Sequence, residues 1–263
     1  MFSFVHTDFY NYYLSKASLK GSKIDDKKIL KMMIEEIKKI SNNKLVIPTY
    51  NYDFPKTKRF NFKKDKSQVG TFSDYFWKKF SNFRTGVPIF STCNNLKINF
   101  YKNLDFVDPF GKESEFEFLY KNNGKIINFG SSFAPTYIMY IERSHNQNSG
   151  ALYRYVKYFE GKTMFKNKFQ KTILYYEVRP IKLKIEYDLI KIRNLLIKNK
   201  ILKIKKNKEN FKYEEINAKN FKDLILSKMN KDPYYLLSKE TISRLKYKKL
   251  YNFKKLKLQQ FEK

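Results

Sequence analysis

The stretch KIINFGSSFAPTYIMYIERSH (residues 125–145) has the pattern of a strand, a loop and a helix in succession. Its first part, KIINFG, is apolar and short, as a buried strand would be. Small polar residues follow, and the last part is helical in character and carries Glu142 and His145, one of only two histidines in the chain. Because α/β enzymes place their catalytic groups where strands end and helices begin, we expect a functional site here.

Two earlier strands predict the direction of the sheet. FSFVHTD (2–8) predicts a first strand and KLVIPTY (44–50) a second. Between them, residues 23–43 carry apolar side chains at helical spacing, with Asp25 and Asp26 near the start, where the helix dipole favours carboxylates. A strand, a helix and a strand in this order form a crossover, which implies parallel strands.

The next segments alternate between irregular and regular patterns. Residues 51–66 predict a long irregular loop. SQVGTFSDYFWKKF (67–80) predicts a turn and then a helix with Ser73 or Asp74 in its first turn. RTGVPIFS (84–91) predicts a turn followed by a strand.

A further helix is predicted in DPFGKESEFEFLYKNNG (108–124). Ser114 and Glu117 have the spacing of a capping box, and Gly124 is suited to end the helix. This helix leads directly into the strand KIINFG, which again gives the alternation of an α/β sheet.

The last third of the chain is predicted to be mainly helical. TILYYEVRPIKLKIEY (172–187) has the pattern of a strand that Pro180 interrupts or places at a sheet edge. From about residue 188 onward, helical patterns alternate with basic turns. We therefore predict an α/β fold with a helical C-terminal part.

Composition is consistent with one large domain or one domain with a modest appendage. The chain has 263 residues, 42% of them apolar, and only 8 glycines and 7 prolines. A single cysteine, Cys93, excludes an intramolecular disulfide and, with two histidines, argues against a metal site. The aromatic start of the chain contains His6 and Asp8 and lacks the apolar run of a signal peptide, and no segment has the length of a membrane span, so we expect a cytoplasmic protein.

The charge is strongly basic. There are 55 Lys and Arg residues against 25 Asp and Glu, a formal net charge of +30. Lys, Asn, Ile, Phe and Tyr share A/T-rich codons, so drift in composition explains part of this. An anionic partner is the functional alternative, either a nucleic acid, a membrane surface or a phosphorylated small molecule. Because the basic residues are spread along the whole chain, we expect any binding to nucleic acid to be weak, independent of sequence and sensitive to salt.

The polar segments at the predicted strand ends follow one another in a defined order: HTD (6–8), PTY (48–50), SQVG (67–70), RTGVP (84–88), DPFG (108–111) with Ser114, and FGSSFAPTYIMYIE (129–142). In this order and at this spacing they resemble the aminoglycoside 3-N-acetyltransferase-like family of CoA-dependent acyltransferases, in particular the branch associated with surface-sugar synthesis. The resemblance extends from VHTD through YYEVRP to INAKNFKDLIL and leaves the end of the chain unmatched. We therefore divide the chain into an acyltransferase-like α/β domain (1–240) and a basic C-terminal tail or helix (241–263).

The resemblance implies an α/β/α sandwich with a mostly parallel central sheet. It also implies that acetyl-CoA binds across loops at the carboxyl edge of this sheet as the co-substrate, and that a substrate amine attacks the thioester directly. Residues of the types that such a donor needs are Ser67, Gly70, Thr71, Arg84, Thr85 and Ser91. Each of two of these residues has an alternative role without acetyl-CoA. Gly70 would also suit an ordinary turn, and Arg84 would also suit a surface ion pair.

The family's catalytic run is Thr-x-x-His-x-x-Glu, in which the histidine is the general base. Here the corresponding residues are Thr136, Met139 and Glu142, so the threonine and the glutamate match and the histidine does not. A thioether does not accept a proton from an amine. A second histidine that precedes a proline in the family is also absent, because Val87 occupies that position.

Several residues are candidates to replace the missing base. Glu142 would serve if burial raised its pKa. His145 follows Glu142 by one helical turn, and His6 ends the first strand, so either histidine is a candidate. Cys93 is a remote candidate as an acyl-carrying nucleophile. A further alternative is a protein that has lost transfer activity and binds a ligand or a partner.

We therefore expect a cytoplasmic CoA-dependent N-acetyltransferase acting on an amino sugar, nucleotide-linked, in surface polysaccharide synthesis. A basic protein attracts CoA and a nucleotide sugar and repels a polycationic drug, which makes an aminoglycoside the less favoured acceptor. The rivals are a catalytically silent relative and a nucleic-acid-binding protein. The sequence leaves the oligomeric state open, including a homo-oligomer.

Overall fold

The structure of the chain is a computed structural model that describes residues 2–20, 25–81, 83–96, 98–133, 136–148, 150–250 and 258–262. The strands in these residues are β1 (Ser3–Thr7), β2 (Leu45–Pro48), β3 (Arg59–Phe60), β4 (Phe83–Arg84), β5 (Thr92–Asn94), β6 (Phe106–Val107), β7 (Lys125–Phe129), β8 (Tyr155–Phe165), β9 (Lys168–Val178), β10 (Leu202–Lys206) and β11 (Lys212–Asn217). The helices are α1 (Phe9–Lys20), α2 (Asp26–Ile40), α3 (Phe54–Thr57), α4 (Thr71–Lys79), α5 (Glu115–Lys121), α6 (Thr136–Asn148), α7 (Leu189–Lys198), α8 (Ala218–Met229) and α9 (Lys239–Tyr247).

Seven strands form the larger sheet, in the order β10, β11, β7, β1, β2, β5, β4. At its centre β1 lies between β2 and β7 and is parallel to both, as the predicted crossover requires. The strands β5 and β11 run antiparallel to both of their neighbours, so the other five of the seven strands point the same way. The sheet is therefore mixed, with most of its strands in one direction, in agreement with the sequence.

Helices cover both faces of this sheet. On one face, α1, α2 and α4 pack through an apolar cluster that includes Val5 and Ile127 of the strands. On the other face, α5, α6 and α8 pack through a cluster that includes Phe4 and Ile126. Successive strand residues point to opposite faces, so each central strand supplies both clusters. This is the layered α/β/α arrangement that the resemblance implies.

A second, smaller sheet lies on the α6 side, in the order β3, β8, β9, β6. Its core is the antiparallel hairpin β8–β9, whose two connecting residues, Lys166 and Asn167, have φ of +44° and +67°. A two-residue turn with two positive φ values matches the right-handed twist of the strands that it joins. Thr163, Thr172 and Leu174 are fully buried on the inner face of the hairpin.

The predicted helices at 23–43, 67–80 and 108–124 are confirmed within the described residues. Asp25 caps α2 by accepting a hydrogen bond from the Lys28 amide, and α4 has Asp74 in its first turn.

The start of α5 is a modified capping box. The Ser114 hydroxyl accepts from the Glu117 amide at 3.1 Å, but the Glu117 carboxylate accepts from the Glu113 amide. The helix ends before Gly124, because Asn123 already takes the left-handed conformation at φ +51°.

Other predictions were wrong. Residues 85–91 do not form the expected strand; Arg84 ends the two-residue β4, and β5 begins at Thr92. Residues 51–66 contain α3 and β3 rather than loop alone. The predicted strand at 172–187 does not continue beyond Pro180, because β9 ends at Val178, in agreement with the predicted interruption. The C-terminal part is not purely helical, because β10 and β11 form a hairpin that extends the larger sheet through β7.

The predicted domain boundary at residue 240 falls inside α9. Leu245 of this helix and Leu258 belong to the main apolar cluster. Much of the predicted tail, residues 251–257 and Lys263, lies outside the described residues, so the division of the chain stays a prediction. In the part of the chain that the structure describes, no helix has the length and apolar character to span a membrane.

Candidate functional site

The carboxyl ends of β1, β2 and β7 meet at one edge of the larger sheet. The loop after β7 leads into α6, and the Asp8 amide donates to the Phe129 carbonyl at 3.1 Å, so the turns that follow β1 and β7 are in contact. The Asn11 side chain, in the first turn of α1, donates to the Gly130 carbonyl at 2.9 Å. Ligands of α/β proteins bind at this kind of edge.

His6 and Asn128 are neighbours in register across β1 and β7, and their side chains lie on the α6 face of the sheet. Both are buried, with 8% and 1% of their surface exposed. The Asn128 amide donates to Glu214 at 2.9 Å. Its carbonyl oxygen Oδ1 and Nε2 of His6 have no hydrogen-bond partner in the part of the chain that the structure describes. Burial lowers the pKa of His6 to about 4, so the imidazole is neutral near pH 7.

Two more polar groups lie just after the neighbouring strands. The Ser131 hydroxyl, after β7, is buried without a hydrogen-bond partner among the described residues. Burial raises the pKa of the Tyr50 hydroxyl, after β2, well above its usual value, and the nearby Thr136 side chain opposes this shift. Since buried polar atoms are nearly always satisfied in folded proteins, the unpartnered atoms of His6, Asn128 and Ser131 mark a place where a ligand or water binds.

Met139 lies in the first turn of α6 and accepts a weak hydrogen bond from the Tyr176 hydroxyl at 3.5 Å. It lines a cavity of about 10 Å³, which is room for about one water molecule. Phe110 and Arg143 line the same cavity. The position that carries the base in the family therefore faces a small cavity whose lining includes aromatic side chains.

Glu142 is fully buried and its two carboxylate oxygens are occupied. Oε1 accepts from the Tyr153 hydroxyl at 2.6 Å, and Oε2 accepts from the Tyr187 hydroxyl at 2.6 Å and from the Arg154 guanidinium at 2.8 Å. Arg154 also donates to the Glu177 carbonyl at 2.6 Å. Glu142 thus fastens α6 to the start of β8, and neither oxygen is available to an acceptor amine.

His145 is 5% exposed and lies on another side of α6 from Met139. Six residues separate the two, which corresponds to about 120° around a helix. Burial lowers the pKa of the imidazole, and the backbone groups of Met229 and Gly150 beside it oppose this shift. The structure therefore does not bring His145 to the cavity that Met139 lines.

Three of the six residues predicted for acetyl-CoA lie in the turn before α4 or at the first position of this helix. Gly70 has φ +107°, and a side chain there would meet no atom within 4 Å, so the space over the turn is open. Thr71 begins α4 and is exposed, and the Ser67 hydroxyl accepts from the Val69 amide at 3.4 Å. The start of a helix offers free amide groups to anionic or carbonyl oxygens.

Arg84 is not available to a phosphate, because it is 3% exposed and all its donor groups are used inside the protein. Its guanidinium donates to the Thr49 carbonyl at 2.7 Å, to the Ser91 hydroxyl at 3.1 Å and to two carbonyls of the preceding loop, those of Phe62 and Asp65. Burial lowers the pKa of Arg84 to about 10. The surface ion pair considered for Arg84 is also wrong, since this side chain holds the loop 61–66 against the sheet.

Thr85 and Ser91 are likewise buried and engaged. The Thr85 hydroxyl accepts from the Thr92 amide at 2.9 Å, and the Ser91 hydroxyl donates to the Thr49 carbonyl at 2.7 Å. Cys93 is fully buried on the opposite face of the sheet, and burial raises the pKa of its thiol to about 12, which argues against a nucleophilic role.

Sequence reasoning missed the residues that hold the site together. Asn128 stands inside an apolar strand, and a buried amide in such a strand is a recognisable signal. A glutamate on a buried helix face requires a cationic partner, so a partner for Glu142 could be expected from the sequence. Nothing in the sequence pattern identifies Arg154 among the 55 Lys and Arg residues as that partner. Tyr50, Tyr176 and Tyr187 come from three separate elements, and no local pattern unites them.

A groove of about 1020 Å³ adjoins the Met139 cavity and shares Asp108, Phe110 and Arg143 with it. Its charged lining consists of Lys102, Lys112, Lys121, Arg143 and Lys222 against Asp108, Glu113 and Glu117. The pairs Arg143–Asp108 and Lys121–Glu117 are 2.9 and 3.1 Å apart. The excess of cations suits an anionic ligand. Among the described residues, no group of three His, Cys, Asp or Glu side chains is placed to hold a metal ion.

The fold is shared with solved acetyltransferases. The structure described as AAC-IIIb binary with CoASH has a TM-score of 0.67 at 12% identity, over 87% of this chain and 89% of that chain. The aminoglycoside acetyltransferase AAC(3)-Xa has a TM-score of 0.66 at 10% identity, over 89% and 87%. The YokD protein from Bacillus subtilis has a TM-score of 0.63 at 10% identity, over 88% and 87%. No protein-family model and no curated protein sequence matches the chain. Likeness at this level of identity establishes the fold and leaves the activity to be argued from the site.

Proposed function

We propose that this chain is a CoA-dependent N-acetyltransferase whose acceptor is the amine of an amino sugar. The observation that carries the proposal is the pair of buried acceptors without partners, Nε2 of His6 and Oδ1 of Asn128, at the carboxyl edge of a sheet that solved acetyltransferases share. A pair of acceptors of this kind suits the N–H groups of an amine.

His6 is the residue to which we assign the role of base. Of the candidates, Glu142 has both oxygens occupied and His145 lies on another side of α6. His6 is neutral near pH 7, so one ring nitrogen is a proton acceptor, and with the ring hydrogen on Nδ1 that acceptor is Nε2. In the proposed reaction Nε2 takes the proton from the amine while Oδ1 of Asn128 accepts a second N–H and orients the nitrogen.

Acetyl-CoA supplies the thioester that the amine attacks. Of the residues predicted to bind it, Ser67, Gly70 and Thr71 fit this role, because their turn is open and lies at the start of α4. We withdraw Arg84, Thr85 and Ser91 as direct contacts; they shape the edge of the sheet from beneath.

We propose a nucleotide-linked amino sugar as the acceptor, as in surface polysaccharide synthesis. The basic groove beside Met139 supports an anionic acceptor, and the net charge of +30 attracts one from a distance. Aminoglycosides are the second candidate, since solved structures with the same fold are described in complex with apramycin and with a gentamicin. A catalytically silent relative is the third, supported by Met139 and by the small size of its cavity.

The test is release of CoA thiol from acetyl-CoA with two sets of acceptors, nucleotide-linked amino sugars and aminoglycosides. We expect activity with the first set, its loss in His6→Gln and its retention in the matched control His145→Gln. Activity only with aminoglycosides would replace the acceptor class. Loss in both histidine variants to the same degree, with folding intact, would contradict the assignment of His6.

Binding of acetyl-CoA is tested separately by calorimetry. We expect a dissociation constant in the micromolar to millimolar range, roughly that of ordinary enzyme substrates. Ser67→Tyr should weaken binding by filling the open turn, and Gly70→Val should do so as well. Binding without any transfer would favour the silent relative, and no heat with millimolar acetyl-CoA would contradict the proposal as a whole.

A further inference from the structure

The outer face of the smaller sheet carries a row of three cations in register. Arg59 on β3 pairs with Lys162 on β8, and Lys162 pairs with Lys171 on β9. Residues in register on adjacent strands point to the same face, about 4.8 Å apart in backbone spacing. All three side chains are exposed, and among the described residues none of them forms an ion pair.

Such a row is unfavourable by itself, because like charges directly opposite one another destabilise a sheet. A concavity of about 670 Å³ lies over it, lined by Lys58, Arg59, Lys162 and Lys171 with Glu160 as its one carboxylate. The arrangement therefore provides a strongly positive surface that an anionic ligand would neutralise.

Exposed aromatic rings lie on the same face of the sheet. Phe106 and Tyr158 are 55% and 57% exposed, unusually so for rings of this size. With Tyr175 they form a continuous group, with ring centroids 5.8 to 6.5 Å apart. On the other side of the cation row, Phe169 stacks under the Arg59 guanidinium at 4.4 Å.

We propose that this face binds single-stranded nucleic acid, with phosphates on the cation row and bases stacked on the aromatic rings. Rings beside a basic track are the features by which proteins hold single strands without reading their sequence. An open sheet with rings on both sides of the cations accommodates an extended chain better than a small ligand. The face adjoins the proposed acetyltransferase site, because Phe106 also lines the groove beside Met139 and Tyr175 lines the Met139 cavity. The cation row itself, Arg59, Lys162 and Lys171, lines neither.

The test uses a fluorescently labelled oligothymidylate of about 20 nucleotides, longer than the site of one single-strand-binding module, and the intact chain, followed by anisotropy. We expect binding that falls with salt at a log–log slope of roughly −2, because about three phosphate contacts on a single strand give that value. Lys162→Glu combined with Lys171→Glu should weaken binding by at least about tenfold, and Tyr158→Ala by about tenfold, the loss of one stacked base.

Two controls separate the face from the overall charge. Lys27→Glu combined with Lys28→Glu, exposed on α2 beyond the opposite face of the larger sheet, changes the net charge equally and should have little effect. Tyr247→Ala, a lone exposed ring on α9, should also leave binding unchanged. Melting temperatures check folding, and Lys162→Glu alone should leave the melting temperature unchanged or higher, since it interrupts the like-charge row.

The alternatives give different results. An equal loss of oligonucleotide affinity in Lys162→Glu with Lys171→Glu and in Lys27→Glu with Lys28→Glu would mean that net charge alone attracts the oligonucleotide. Full competition by uridine diphosphate at micromolar concentration would mean a mononucleotide site. Binding to phosphatidylserine vesicles with the same variant dependence, and none to the oligonucleotide, would mean a membrane surface. Each of these outcomes overturns the proposal.

Discussion

Met139 occupies the position at which the resembling family has its base, and its surroundings indicate what a histidine would do there. The side chain faces the Tyr176 hydroxyl at 3.5 Å and lines a small cavity. An imidazole at this position would receive that hydroxyl hydrogen bond. It would gain no second partner from Glu142, whose oxygens are occupied by Tyr153, Tyr187 and Arg154.

With His6 as the base, we predict that Met139→His changes the rate of acetyl transfer by less than about tenfold, because a second imidazole supplies a function that is already present. In a site that merely lacked its base, the same substitution would raise the rate by about a hundredfold or more as the pH rises through about 6.5, the ordinary pKa of histidine. The measurement is the pH profile of CoA release, with Met139→Gln as the control for polarity alone. A hundredfold gain would contradict the assignment of His6.

His6 gives the protein a pH-dependent stability whose sign follows from its burial. The folded chain holds the imidazole neutral down to about pH 4, whereas the unfolded chain protonates it near 6.5. Between these values the unfolded state binds the extra proton, so stability is complete above about pH 6.5 and falls as the pH is lowered.

We therefore predict a loss of about 2 kcal/mol in the free energy of unfolding between about pH 6.5 and about pH 5 that His6 alone accounts for. The measurement is urea denaturation at several pH values for the native chain and for His6→Gln. Only the difference between the two curves reports His6, because His145 and the buried carboxyls titrate in both. Parallel curves would show that the imidazole is solvated or partnered in solution.

Several site residues could be identified from the sequence, but the contacts that their side chains make in the structure could not. The run Thr136, Met139, Glu142 was correctly placed on one helix at the sheet edge. The role of Arg84 was misjudged, because its residue type fits a phosphate as well as it fits carbonyl and hydroxyl acceptors. The groups that accept hydrogen bonds from Arg84 lie far from it in sequence; they include the carbonyls of Thr49 and Asp65.

A buried ion pair attaches helix α6 to the residues just before β8. Glu142 is 0% exposed and Arg154 3% exposed, and two tyrosine hydroxyls complete the carboxylate's hydrogen bonds. Removing one partner of such a pair leaves a buried charge without compensation.

Glu142→Gln is therefore predicted to destabilise the chain by about 3 to 5 kcal/mol, as removal of one partner of a buried pair does. The matched control is Glu35→Gln, which breaks an exposed pair with Lys38 and should cost less than about 1 kcal/mol. Denaturant titration measures both. Any loss of transfer in Glu142→Gln would then be structural, and an unaltered unfolding midpoint would contradict the role assigned to this pair.

Helices and strands with one apolar face could be predicted from the sequence, whereas those without a clear apolar face were missed. Helix α2 has its apolar residues on one face, and its predicted capping residue, Asp25, is the observed one. Helix α1 was missed because FYNYYLSKASLK distributes aromatic residues around the helix. Strand β8 was missed because Tyr158 and Val156 are exposed on its outer face, which removes the alternation that identifies a half-buried strand.

The arrangement of the layers follows from three central strands. Their parallel pairing was predictable from the crossover between β1 and β2. The pairing of the C-terminal hairpin β10–β11 with β7 depends on residues far apart in the chain, such as Asn128 and Glu214, and no local pattern carries that information. The same long-range pairing places Glu214 beside Asn128 and so completes the candidate site.

The net charge of +30 lowers the stability of the folded chain, because the excess positive charges on its surface repel one another. Ion pairs between described residues offset part of this repulsion. The excess of lysines remains, so repulsion between exposed charges is the larger long-range term at low ionic strength, where the Debye length is about 30 Å at about 0.01 M.

We predict that the thermal stability of the chain rises as sodium chloride is increased from about 0.01 M to about 0.15 M, because the Debye length shrinks to about 8 Å and repulsion is screened before salting-out effects become important. The matched variant Lys27→Glu with Lys28→Glu reduces the net charge and should show a smaller rise. Affinity for acetyl-CoA should fall over the same range, since screening weakens the attraction of an anion. A melting temperature that falls with added salt would mean that the ion pairs outweigh the repulsion. The basic residues would then be explained by their part in the stability of the fold, without an anionic partner.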